Sequence, residues 1–175
     1  MNTKYLKKNS RIGLRLLEEA DITDRYLDWF KDERITAFLS AKNLSRQDVL
    51  DHLNAGRESG DFEMLAICIL DSGLHVGNIK VGPINKVDRI ADLPIVLGDR
   101  SFHGKDIASE AVDLGSQYAL DNLDIRKVCG SVYSQNKASL RCYEKGGWHI
   151  ECVLPNQFEV NGEIQDEVFI ARYKD

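Results

Sequence analysis

Apolar residues recur along this chain with two different periods. Tyr26, Trp29 and Phe30 stand three and four positions apart, and Ile107, Ala111, Leu114 and Tyr118 repeat that spacing. Such intervals place side chains on one helical face. They predict helical structure over 21–38, broken near Lys31 and Asp32, and a helix from Ile107 to about Leu120. Ser45-Arg46-Gln47-Asp48 has the form of a capping box with Asp in place of Glu, opening a helix that reaches about Ala55. Gly56 and Gly60 close that section. Asn136 is a natural cap for a short helix over 137–145, which Gly146-Gly147 ends.

Elsewhere the pattern alternates or runs continuously apolar. Strands are predicted over 12–17, 63–70, 74–81, 91–97, 127–133 and 148–154, with a last one around Val168 and Ile170. Asp71-Ser72-Gly73 and Asn161-Gly162 read as hairpin turns, and Pro83 stops the strand before it. This order predicts a mixed α/β fold with a largely antiparallel sheet. The strand-helix-strand-helix unit over 91–145 supplies a parallel pair.

Length and composition narrow the function classes. With 175 residues, 43% hydrophobic and 29% charged, the chain is expected to form one globular domain over 1–175. The 23 basic and 28 acidic residues leave a net charge of −5, which argues against a nucleic-acid partner held by phosphate contacts. The longest purely apolar run, from Met64 to Leu70, is far short of the ~20 residues a membrane helix needs. Met1 to Arg11 carries no signal-peptide pattern. Cys68, Cys129, Cys142 and Cys152 show no CxxC spacing and read as free thiols, so a cytoplasmic location is expected. His52, His75, His103 and His149 form no ligand spacing with one another or with the cysteines, and no metal is predicted.

Two segments carry candidate chemistry. In the first, a strand ending at Leu97 leads through Arg100-Ser101-Phe102-His103-Gly104-Lys105-Asp106-Ile107-Ala108 into a helix. The free backbone N–H groups of a helix start bind phosphate, Gly104 would permit close approach, and Lys105 would add charge. In the second, Asn136, Ser139 and the run Tyr143-Glu144-Lys145-Gly146-Gly147-Trp148 surround a short helix. Each has a bland reading by itself: a turn, a cap, a packed tyrosine.

Together the segments resemble the GNAT superfamily of acetyl-CoA-dependent N-acetyltransferases, closest to its ribosomal-protein N-terminal and amino-sugar branch. Gly104, Ser109, Glu110 and Ala111 match the family's pyrophosphate loop and the helix after it. Asn136, Ser139, Tyr143, Glu144, Lys145, Gly147 and Trp148 match its later motif, and His75-Val76-Gly77-Asn78-Ile79 is similar to its third strand. The resemblance implies a GNAT-like, twisted, mostly antiparallel sheet of six to seven strands flanked by helices, with a splayed parallel pair. Acetyl-CoA would lie in the splay, along Val96 and Leu97, its pyrophosphate on Phe102, His103, Gly104, Lys105, Asp106, Ile107 and Ala108, with Asn136 and Ser139 also at the cofactor. An N–H near Leu97 would polarise the thioester. Tyr143 would protonate the departing thiolate, and the base would be Asp92, Glu63 or a relaying water.

Ser101 and Asp106 depart from the family pattern, where Gln or Arg and Gly or Ala stand. An unpaired Asp106 at ~6 Å from a phosphate would cost ~0.7–3 kcal/mol. The expected acceptor is a primary amine on a small molecule or peptide, either an amino-sugar nucleotide or a protein amino terminus. The alternative is a non-catalytic acyl-CoA-binding or partner-binding module. A homodimer is compatible with either.

Overall fold

Pro94 divides what the apolar pattern presents as one strand. The computed structural model describes residues 4–160 and 162–174. It opens with β1 (Lys7–Lys8) and β2 (Ile12–Leu16), followed by the helices α1 (Asp24–Trp29), α2 (Glu33–Thr36) and α3 (Arg46–Ser59). Then come β3 (Glu63–Ile69), β4 (His75–Val81), β5 (Ile84–Asn85), β6 (Ile90–Asp92) and β7 (Ile95–Leu97). The chain closes with α4 (Ile107–Asn122), β8 (Lys127–Tyr133), α5 (Lys137–Lys145), β9 (His149–Val160) and β10 (Glu163–Tyr173).

The mixed α/β class is as expected, but the strands lie in two five-stranded sheets, ordered β1-β2-β3-β4-β7 and β5-β6-β8-β10-β9. The predicted strand over 91–97 contributes to both. Its first half pairs parallel with β8, Ile90 opposite Lys127 and Asp92 opposite Cys129. Leu93 N–H still donates to the Cys129 carbonyl at 3.1 Å. Pro94 has no N–H to continue that ladder. Its carbonyl instead accepts from Lys80 N–H at 3.0 Å, and β7 runs on antiparallel to β4. The parallel pair therefore splays immediately after Leu93.

The helical region breaks as its sequence suggests. Thr23 Oγ1 caps α1 by accepting from Tyr26 N–H, and Asp32 caps α2 by accepting from Arg34 N–H. The Ser45–Asp48 capping box is present. Its helix passes Gly56, against which the Phe62 ring packs, and stops at Gly60 with φ +63°. The last hairpin is longer than the alternation suggested, because β9 stays paired with β10 from Ala171↔His149 to Glu163↔Val160. Of its predicted turn, Asn161 lies outside the described residues, and Gly162 has φ +81°.

The β3 strand is buried on both faces. Leu65 and Ile67 join the core beneath α4 and α5, while Ala66 and Cys68 join a second core with Tyr26, Trp29, Phe30, Val49 and Leu53. Trp29 and Phe30 thus pack inside. In the first core Trp148 Nε1 donates to Ser116 Oγ at 2.9 Å, and Ser116 Oγ donates to the Val112 carbonyl at 2.7 Å. Ser116→Ala orphans a buried indole N–H, so chemical denaturation should show a loss of about 1–3 kcal/mol.

Candidate active site

The splay between β7 and β8 opens into a cleft of about 630 Å³, lined along β7 by Ile95, Val96 and Leu97. One end is the loop into α4. Asp99 accepts from Ser101 N–H at 2.9 Å and from its hydroxyl at 2.7 Å, so Ser101 secures the turn. His103 Nε2 bonds the Leu97 carbonyl at 2.8 Å and ties loop to strand. Gly104 and Asp106 then take left-handed conformations, φ +72° and +63°. Aspartate tolerates that region better than most residues. Two such residues so close together turn backbone N–H groups into an anion-binding concavity, and the first turn of α4 adds its own unpaired donors.

Most of the residues expected at the cofactor do line this cleft: Val96, Leu97, Phe102, His103, Gly104, Asp106, Ile107, Ala108, Asn136 and Ser139. Lys105 is not among them. Its carbonyl accepts from Arg11 Nη2 at 2.9 Å, and its ammonium sits 5.5 Å from the Phe102 ring centroid. Lysine at this loop comes from elsewhere, because Lys145 Nζ stands 2.5 Å from Asp106 Oδ1. Asn136 lines the cleft while capping α5, its Oδ1 accepting from Ser139 N–H at 3.1 Å.

At the point of divergence lies Tyr143, 6% exposed and packed edge-on against Trp148. Its hydroxyl donates to the Leu93 carbonyl at 2.8 Å, close to the backbone of Ile95. Burial, with Cys142 and Asp92 nearby, pushes the phenol far above its ordinary value. The β4–β7 ladder orients the remaining donors. Gly98 N–H donates to the Val76 carbonyl and Lys80 N–H to the Pro94 carbonyl. Antiparallel alternation then turns the N–H groups of Ile95 and Leu97 away from β4. The N–H groups of Ile95 and Leu97 are then the donors on the splay side of β7. Cys142 also lines the cleft, but burial pushes its thiol up to about 11, so it stays protonated at neutral pH.

Neither candidate base reaches the cleft. Asp92 faces Cys129, whose Sγ donates to Oδ1 at 3.4 Å, and lies beside Lys80. Ala91 and Leu93 on either side of it face the core, so strand alternation turns the Asp92 side chain to the opposite face. Glu63 accepts from Tyr118 Oη at 2.8 Å, on the face that α4 covers. The other end of the cleft is built from residues the sequence did not single out: Arg34, Ile35, Phe38 and Leu39 in and after α2, and Ser131 and Tyr133 on β8. Phe38, Tyr133 and Phe158 form a continuous aromatic wall, with centroids 5.6 and 4.2 Å apart. No local periodicity marks these residues, because three separate elements bring them together. Among the described residues no group of three or more His, Cys, Asp or Glu side chains could hold a metal, and no helix is long and apolar enough to cross a membrane.

A cleft between splayed strands, ending in a phosphate-type loop, defines a class of acyl-transfer fold. The acetyltransferase (GNAT) domain model matches residues 11–149, and the chain belongs to that family. It is an N-acetyltransferase, similar over most of its length to others of that activity. Spermidine N(1)-acetyltransferase of Escherichia coli (strain K12) is 23% identical over 163 residues, 93% of this chain and 82% of the relative. A solved spermidine N-acetyltransferase of Vibrio cholerae, in complex with CoA and spermine, superposes with a TM-score of 0.83 at 20% identity, covering 94% of this chain and 96% of that one. A GNAT acetyltransferase from Bacillus anthracis gives 0.80 at 17% identity, over 95% and 96%. The relatives with a named acceptor are spermidine N-acetyltransferases, which does not specifically support the ribosomal-protein or amino-sugar branch.

Proposed function

We propose that this N-acetyltransferase moves the acetyl group of acetyl-CoA to a small primary amine by direct attack on the thioester. The carrying observation is the Tyr143 hydroxyl, held between Leu93 and Ile95 where the sheets part. In this reading the pyrophosphate rests on the loop from His103 to Ala108 and the pantetheine follows Val96 and Leu97. Leu97 N–H stabilises the developing oxyanion. Tyr143 donates its proton to the departing thiolate. Water in the cleft takes the proton from the attacking ammonium, since Asp92 and Glu63 face elsewhere. Holding amine and thioester side by side supplies much of the rate.

The acceptor end favours an amine attached to an anionic body. Arg34 is held at two points by Asp32, both at 3.0 Å, while 66% of its side chain stays exposed. Three of its five donors remain for a ligand. Arg141 lines the cleft as well, and the one carboxylate among the lining residues, Asp106, already pairs with Lys145. A polyamine gripped at several ammonium groups would need carboxylates there. A nucleotide-linked amino sugar fits the arginines better, and a protein amino terminus offers no anion of its own. Thiol release should be measured with spermidine, a nucleotide-linked amino sugar and a peptide as acceptors. The amino sugar should give the highest kcat/KM, and Arg34→Ala should raise its KM about tenfold, the effect of one charge-assisted contact. Preference for spermidine with an unmoved KM in Arg34→Ala would overturn the anionic-acceptor reading.

A further inference from the structure

We propose that Lys145 is a positioning residue for cofactor binding, which it serves by neutralising Asp106 rather than by stabilising the fold. The inference rests on the acetyl-CoA reading above. Asp106 occupies the left-handed position where α4 begins, with φ +63° and ψ 6°. Its carboxylate makes no capping bond to the helix. It lies on the cleft surface at the start of α4. An unpaired carboxylate there would oppose a pyrophosphate.

Lys145 comes from the last residue of α5, remote in sequence, and its Nζ reaches Oδ1 at 2.5 Å. Both side chains are more than half exposed, 59% and 58%. Pairs that open to water contribute little to folding. The backbone next to Lys145 is nevertheless held in place. Arg172 Nη1 donates to the Gly146 carbonyl at 2.9 Å and to Asp113 Oδ1 at 2.7 Å, bracing the end of α5 against α4.

The back of the loop is organised in the same way. Arg11 Nη1 meets Glu110 Oε1 at 2.5 Å, and Nη2 donates to the Lys105 carbonyl. Each carboxylate around the loop, Asp106 and Glu110, therefore has its own cation. A diphosphate arriving there meets backbone donors and the start of α4 with no excess negative charge. Removing Lys145 alone leaves one uncompensated carboxylate facing the ligand.

A double-mutant cycle read by calorimetric titration of acetyl-CoA into the full chain tests this. Lys145→Met should weaken binding about tenfold, which corresponds to about 1.4 kcal/mol. Asp106→Gly should bind at least as tightly as wild type. Asp106→Gly with Lys145→Met should return to within threefold of Asp106→Gly alone, and Lys145→Arg should rescue the charge. Lys86→Met, which removes a surface cation paired with Asp61, controls for net charge. Equal denaturation midpoints across the set would separate positioning from folding. Wild-type affinity in Lys145→Met overturns the inference. So does a double variant as weak as Lys145→Met, since that result makes Lys145 a direct phosphate ligand. No binding by the wild-type chain overturns the acetyl-CoA reading itself and this inference with it.

Discussion

Tyr143→Phe is expected to lower kcat by about 10²–10³-fold while acetyl-CoA affinity stays within a factor of two, the signature of a lost general acid. The hydroxyl donates to the Leu93 carbonyl, so its loss orphans a buried backbone acceptor. Part of the cost should appear in stability, about 1–3 kcal/mol by chemical denaturation. Turnover and stability must therefore be measured together. Unchanged turnover in a folded variant would remove Tyr143 from the mechanism.

The pH profile adds a second check. Burial holds the Tyr143 proton well past the ordinary phenol range. Its ionisation therefore should not cut into kcat as pH rises towards ~10, the ordinary tyrosine value. The rising limb should belong to the amine acceptor and survive in Tyr143→Phe. Linkage gives the sign for folding. The folded-state value lies above the unfolded one, so this contribution is complete below pH ~10 and is lost as pH climbs from there towards the folded value.

Gly104→Glu should weaken acetyl-CoA binding by roughly 100-fold or more. A Cβ at Gly104 meets nothing within 4 Å, so there is no clash. The backbone, at φ +72°, is where a side chain costs ~1–2 kcal/mol. A carboxylate ~6 Å from two phosphate charges adds ~1.4–5.5 kcal/mol, for effective dielectrics from 80 to 20. Gly104→Ala carries the backbone strain without the charge and separates the two effects. Wild-type affinity in Gly104→Glu would remove this loop as the pyrophosphate site and with it the basis for placing acetyl-CoA in the cleft.

Asp106 shows how local and tertiary information divide. Aspartate tolerates a left-handed backbone better than most residues, and the structure places Asp106 there. Its departure from the family pattern, like that of Ser101, is legible in the sequence. Its pairing with Lys145 is not, because that contact joins residues on different helices. Lys105 shows the reverse. Adjacency in sequence suggests a phosphate contact, but its ammonium sits beside the Phe102 ring and its carbonyl is taken by Arg11.

Taken alone, the sequence determined the periods, the caps and the turns: the Ser45–Asp48 box, the Asn136 cap, the Gly104 loop and the strand-helix-strand order of a GNAT fold. These depend on φ preferences and on contacts within a few residues, which are written locally. Tertiary structure decided that the strand is handed from β8 to β4 at Pro94. It also decided that Arg34, Phe38 and Tyr133 line one cleft together. Those outcomes depend on ladder register between segments tens of residues apart. A single residue of register reverses which face a side chain takes, and no local pattern encodes that choice.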